Sequence, residues 1–417
     1  MRTDSNKPLA AQVVFLYKGA NRPADATARV VHQLAGRLQA AGLMTSVHGM
    51  DDRTHPHRPR PVDGGIAAQV RYGFGKARDL LAESRFLLQT AVGLTRLPDD
   101  PQVIVSVDYP TGIGLTPFVA RKLGRRKLHT ISWVMDDFQD QKLASHPWAL
   151  DARLRRIVDR LALRTADIVV TIGTCMADRI AREVHRSAEV IRVWAAAPKG
   201  TPDPEAVAAV RAGWGAGPET TVVLYSGHAA PHHPLEALVD AAAELVDDER
   251  ILFVVSGVGV ELERLRRSSK PATLSNWRFG RQVPKDQVDT LLAAGDVHVV
   301  SLAENVTGTC VPSKTYAALA RGKPVLFMGS VEGQAAQDVL EAGAGLVVPT
   351  DDPEAIRNAV LQLAEPNLAE AMGRAAADWW PRNISLDVLV DVWRRVIDDG
   401  MPSGAHLPSV TAAKKGG

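Results

Sequence analysis

Short, continuously apolar runs alternate along this chain with longer stretches whose apolar positions recur at helical spacing. Residues 13–17 form the first run; Val30, Val31, Leu34 and Leu38 then fall at i, i+1, i+4 and i+8, and Gly42 closes the pattern. That predicts a strand followed by a helix. Further strands are expected at 45–48, 103–107, 128–134, 168–172 and 190–193, separated by helix-length spacers. Strands that are apolar throughout are buried on both faces, so their alternation with helices predicts a parallel sheet covered on each side. The stretch 51–65, DDRTHPHRPRPVDGG, has no apolar period and is expected to be a mobile loop.

The pattern breaks over 194–217, where three prolines before Ala206, a short helix and a glycine-rich exit mark a domain boundary. A second alternating series follows at 222–225, 251–256, 297–301, 324–328 and 345–348. Residues 386–397 read as a terminal amphipathic helix, with a kink expected at the preceding Trp379, Trp380 and Pro381. The expected organisation is a first Rossmann-like domain (1–197), a linker (198–219), a second Rossmann-like domain (220–378), a helix returning to the first domain (379–400) and a disordered tail (401–417). The fold class is therefore α/β, two doubly wound domains facing a cleft. Ligands in such sheets bind outside the carboxyl ends of the strands.

Composition narrows the function. With 417 residues, 46% hydrophobic and 23% charged, the chain is an ordinary globular protein, and 49 Lys and Arg against 47 Asp and Glu give no reason to expect a nucleic-acid partner. Cys175 and Cys310 are too few for a disulfide framework and too far apart for a metal knuckle, which favours a reducing cytoplasm. Arg2–Lys7 leads into a β-like run rather than an apolar segment with a cleavage site, so no export signal is expected. No apolar window reaches membrane-spanning length, and no basic amphipathic helix stands out.

Four constellations carry candidate chemistry. In VPSKTYAALARGKPVLFMG (311–329), Ser313 is placed to cap a helix ended by Gly322, and Lys314 falls in its first turn, against the helix dipole. Either Lys314 is a solvated side chain or it and the free N–H groups hold an anion. In YSGHAAPHHPLEALVDAA, Gly227 permits a tight exit from a strand and His228, His232 and His233 cluster before a helix. Zinc lacks further ligands at a suitable spacing there, and phosphate contact is favoured. VVSGVGVELERL holds Gly257 and Gly259 without the third glycine and acidic partner of a dinucleotide fingerprint, which reads as close backbone approach. In SWVMDDFQD, Asp136 and Asp137 end a strand, where hydroxyl recognition, proton transfer and helix capping are all open.

These segments resemble GT-B glycosyltransferases, specifically the retaining glycosyltransferase family four. YSGH…PLEALVDAA, FVVSGVG, NWRFGRQVPKDQVDTLLAAGDVHVVSL, VPSKTYAALARGKPVLF and GAGLVVPTDDPEAI occur in that family's order over about 150 residues, with weaker support from RTADIVVTIGTCMADRI and VWA. The resemblance implies that Gly227, His228 and His233 contact the donor diphosphate. It implies that Gly257 and Gly259 line the nucleotide and that Phe279, Gly280, Arg281 and Val283 belong to the loop reading the base. Glu304, Thr309, Cys310, Val311, Pro312, Ser313, Lys314 and Tyr316 then form the loop and helix start beneath the diphosphate. Asp136 faces sugar or acceptor as a catalytic residue beside Lys314 and His233, with Gly19 and Asp137 toward the acceptor. Two positions depart from the family: its glutamate pair falls at Thr309 and Ala317, and Pro231 stands where relatives often carry Arg.

The function so implied is transfer of a sugar from a nucleoside diphosphate sugar, UDP-linked, to a hydroxyl acceptor with retention of configuration, in natural-product or cell-envelope glycan biosynthesis. No cofactor and no essential metal are expected. The acceptor is a small molecule or a lipid-linked saccharide, and a homodimer is left open. The missing glutamates keep a catalytically silent subunit supporting a partner transferase as an alternative, and a sugar-nucleotide epimerase of the same architecture is another.

Overall fold

The computed structural model describes residues 12–21, 26–49, 83–97, 102–107, 112–124, 128–145, 148–195, 197–198 and 200–399. The predicted loop 51–65 and tail 401–417 lie outside them. The chain divides into two compact units: Met1–Thr171 with Ile180–Ile191 and Val390–Gly417, and Ile172–Arg179 with Arg192–Leu389.

The first unit holds β1 (Gln12–Leu16), β2 (Met44–His48), β3 (Gln102–Val107), β4 (Leu128–Val134), β5 (Ile168–Thr171) and β6 (Glu189–Val190), all parallel, in the order β2-β1-β3-β4-β5-β6. β3 is buried from end to end, as an apolar strand between two helical layers must be. The strand expected at 190–193 is only the two-residue edge β6. Trp133 and Trp393, both fully buried, meet edge-on at 4.6 Å, and each contributes about 3 kcal/mol of burial to this core. The helix Leu150–Thr165 corrects the sequence reading, which found no basic amphipathic helix: Ala152, Ala162 and Leu163 face inward, while Leu150, Leu154, Ile157 and Leu161 face solvent beside arginines.

The second unit holds β7 (Thr221–His228), β8 (Ile251–Val258), β9 (Trp277–Gly280), β10 (Val297–Ser301), β11 (Val325–Met328) and β12 (Gly345–Val348), again all parallel, in the order β12-β11-β10-β7-β8-β9. β9 was not expected as a strand. Phe253 and Trp277 stack at 6.0 Å across β8 and β9, within a core that also takes Val223, Tyr225, Val299 and Leu326. Because β10 returns to the far side of β7, the order reverses between these two neighbours, which makes their carboxyl ends the topological switch point.

Pro381 does not end its helix. It lies in the last turn of the helix Pro366–Asn383, and the break follows at Ile384 before the helix Leu386–Asp399.

Candidate active site

The switch point of the second unit gathers the glycines and histidines read from the sequence. Register pairs Gly227 with Gly257 and Ser256 with Gly280, so β7, β8 and β9 end side by side. Gly227, Gly257 and Gly259 have φ of 119°, 137° and 127°. A Cβ on Gly257 would stand 2.0 Å from the Gly227 carbonyl oxygen, and one on Gly259 would stand 2.2 Å from that of Ala229. Close approach of two protein backbones therefore accounts for both glycines of the G-x-G, since no other residue combines that conformation with that spacing.

His233 is held at the β7–β10 junction, its Nδ1 donating to the Ser301 carbonyl at 2.5 Å. The Ser301 hydroxyl donates to the Pro234 carbonyl at 2.6 Å, and the Ala303 N–H donates to His232 at 3.0 Å, so the turn is tied to the end of β10. Burial, and then the charge of Lys314, lower the pKa of His233 to about 3. The ring is neutral with its proton on Nδ1, so Nε2 is an acceptor, suited to a hydroxyl; a direct phosphate bond needs a protonated ring. His228 and His232 are lowered in the same direction by burial and by Lys314.

Lys314 opens the helix Lys314–Leu319, and its Nζ lies 5.4 Å from the centroid of the Tyr225 ring. No carboxylate pairs with it among the described residues. Burial lowers its pKa to about 8, with Cys310 acting weakly in the opposite direction. A partly buried ammonium beside the Tyr225 ring, without a carboxylate to balance it among the described residues, can offset a negative charge brought to the strand ends.

Around it the predicted residues divide. Cys310, Val311 and Pro312 are buried, and Thr309 is buried with its hydroxyl on the Val306 carbonyl at 2.7 Å. Ser313 is exposed at the N-cap position, but its side chain makes no cap hydrogen bond, contrary to expectation. Tyr316 is also corrected: it is fully buried and its hydroxyl donates to Asp338 at 2.7 Å, which leaves it no atom for a donor. Glu304 and Arg281 are exposed; Phe279 is half-buried beneath Arg266, and Val283 is half-buried. Gly280 is buried, and a Cβ there would stand 2.9 Å from that of Ser256.

The sequence reading missed the scaffold under Lys314. Asp338 accepts from Tyr316 and, at 2.8 Å, from Gln334, and pairs with Arg192 Nε at 2.8 Å. The carbonyl oxygen of Gln334 in turn accepts from the Thr174 N–H at 2.7 Å. The available signal was Gln334 and Asp338 at i and i+4 among buried apolar residues of the helix Gln334–Glu341.

In the first unit, Asp136, Asp137, Asp159, Arg160, Ser106 and Ser132 line a small cavity at the carboxyl ends of β3 and β4. Asp137 is less available to an acceptor than expected, for its carboxylate caps the next helix at Asp140 N (3.0 Å) and accepts from Arg160 (2.9 Å). Gly19 is buried in the turn after β1.

Comparison with known proteins agrees with this fold. Residues 220–366 match the family described as "Glycosyl transferases group 1". The chain is 25% identical over 378 residues to a protein of Pseudomonas aeruginosa described as "Probable glycosyltransferase WbjE", an alignment covering 87% of this chain and 91% of that one. Sucrose-phosphate synthase from Thermosynechococcus elongatus superposes with a TM-score of 0.70 at 17% identity, covering 93% of this chain and 99% of its own. HepE of Anabaena, solved in complex with UDP and glucose, superposes with a TM-score of 0.64 at 13% identity, covering 92% and 98%. The fold is that of the GT-B glycosyltransferases, and residues 220–366 carry the similarity to the group 1 glycosyltransferase family. Among the described residues no helix is long and apolar enough to cross a membrane, and no group of three or more His, Cys, Asp or Glu could hold a metal.

Proposed function

We propose that the chain transfers a sugar from a UDP-linked donor to a hydroxyl acceptor with retention of configuration. The observation that carries this reading is Lys314, a partly buried ammonium with no carboxylate partner among the described residues, set beside the switch point of the sheet. In this reading Lys314 and backbone N–H groups at the strand ends neutralise the departing diphosphate. Nε2 of His233 accepts a hydroxyl of the donor sugar. Positioning and charge neutralisation supply the rate, and neither a protein nucleophile nor a metal is invoked.

HepE was solved with UDP and glucose, which supports UDP as the first nucleotide to try. The test is calorimetry of the full chain with UDP in chelator, followed by a screen of UDP-sugars for slow hydrolysis. Binding without metal and turnover of one donor are expected, and no binding to any nucleoside diphosphate would sink the reading. Thr309 and Ala317, both uncharged where the family carries glutamates, favour a second reading, a silent subunit. That reading requires binding without turnover by the single chain.

A further inference from the structure

The helix Lys314–Leu319 is short for an element that carries the central charge of the donor site. Its six residues are too few to be stable alone, and Ser313 at its N-cap makes no side-chain hydrogen bond to it. The hydroxyl of Thr315, fully buried in the same turn, has no partner among the described residues. Lys314 has no carboxylate beside it among those residues, so no ion pair fixes its ammonium.

The polar tie that holds this first turn is Tyr316. Its ring is fully buried, and its hydroxyl donates to one oxygen of Asp338 at 2.7 Å. Asp338 is wholly buried and cannot swing, because its other oxygen accepts from Gln334 Nε2 at 2.8 Å and pairs with Arg192 Nε at 2.8 Å. Gln334 is fixed in turn by the Thr174 N–H, and a second nitrogen of Arg192 reaches Glu341 at 2.9 Å. A carboxylate clamped on both oxygens therefore anchors the turn that begins at Lys314.

We propose that Asp338 is a positioning residue for the donor site: through the Tyr316 hydroxyl it sets where the Lys314 ammonium stands beside the Tyr225 ring. The assignment rests on the reading of Lys314 as the counter-charge of the diphosphate. A phenylalanine would fill the space of the Tyr316 ring without a buried polar group to satisfy, so packing alone gives no reason for a hydroxyl here. Positioning does, since a charge displaced by about 1 Å from its working place can cost on the order of a hundredfold in rate.

The test is calorimetry of UDP binding in two buffers, near the Lys314 pKa of about 8, beside thermal unfolding of the full chain and two variants. Tyr316→Phe keeps the ring and removes the tether. Its affinity for UDP is expected to fall about tenfold. Proton uptake on binding is expected to shrink, because a loosened ammonium is hydrated and already protonated before UDP arrives. Asp338→Asn keeps a bond to Tyr316 in either amide orientation, since a hydroxyl both donates and accepts, but removes the buried charge that faces Arg192. It is expected to melt lower than Tyr316→Phe and yet to lose less UDP affinity, about threefold. Affinity that instead follows melting temperature across the two variants marks a merely structural tie and overturns the proposal. No UDP binding by the wild type sinks the donor reading and this assignment together, whereas wild-type affinity and proton uptake in Tyr316→Phe overturn the assignment alone.

Discussion

A Cβ built on Gly227 would lie 3.1 Å from Cε of Lys314, so the missing side chain at the end of β7 is the space through which the lysine stem passes toward the Tyr225 ring. The positive φ of Gly227, 119°, makes the same position strained for any other residue.

Gly227→Ala is therefore expected to do two separable things. Backbone strain should cost about 1–3 kcal/mol of stability. Displacement of the lysine stem should weaken UDP binding further than Lys314→Ala in a relaxed backbone would. Denaturant unfolding and calorimetry measure the two, and unchanged UDP affinity would show that Lys314 has another path.

Lys314 itself has a pH signature. Its folded pKa of about 8 is below the ordinary 10.5, so the folded chain binds fewer protons than the unfolded one between those values and gains stability as pH rises through them. Below pH 8 the full penalty, on the order of 3 kcal/mol, is present. Lys314→Met should consequently be more stable than wild type at pH 7, with the difference shrinking toward pH 10. The same variant should lose about 100–1,000-fold in turnover, the usual cost of removing one preorganised charge. A bound diphosphate should raise the lysine pKa, so UDP binding near pH 8 takes up protons, visible as a buffer dependence of the calorimetric heat.

His233 should behave differently. With a pKa of about 3 it contributes no titration to binding between pH 5 and 8. His233→Asn keeps a donor for the Ser301 carbonyl and removes Nε2, so affinity for UDP should persist while affinity for the UDP-sugar falls about tenfold, one neutral hydrogen bond's worth. Equal losses for both ligands would place the ring on the diphosphate instead.

Residues differed in how far sequence disclosed them, for physical reasons. Strands such as β3 and β10 were legible because a strand buried on both faces must be apolar throughout. β9 was not, since it is four residues long and carries the exposed Arg278. Lys314 stood out because it defies the helix dipole, whereas Tyr316 two residues later looked equally available and is buried against Asp338, a partner 22 residues away. The helix Leu150–Thr165 has apolar residues on both sides. Only packing reveals that small Ala152 and Ala162 are buried while Leu150, Leu154 and Leu161 face out.

The cavity at the ends of β3 and β4 makes the last prediction. Burial pushes the Asp159 carboxyl up to about 7; the Gly112 N–H at 3.2 Å and the guanidinium groups of Arg160 and Arg155 oppose this, while Asp137 adds to it. Between the ordinary 3.8 and 7 the folded chain keeps a proton that the unfolded chain has lost, so this group lowers stability progressively as pH rises through that window, by up to about 4 kcal/mol. Asp159→Asn preserves an acceptor for Gly112 and cannot ionise. Its urea midpoint should match wild type near pH 4, pull ahead through pH 5 and 6, and hold a constant lead above pH 8. Parallel curves for the two proteins across that range would mean that Asp159 is ionised and solvated in the folded chain.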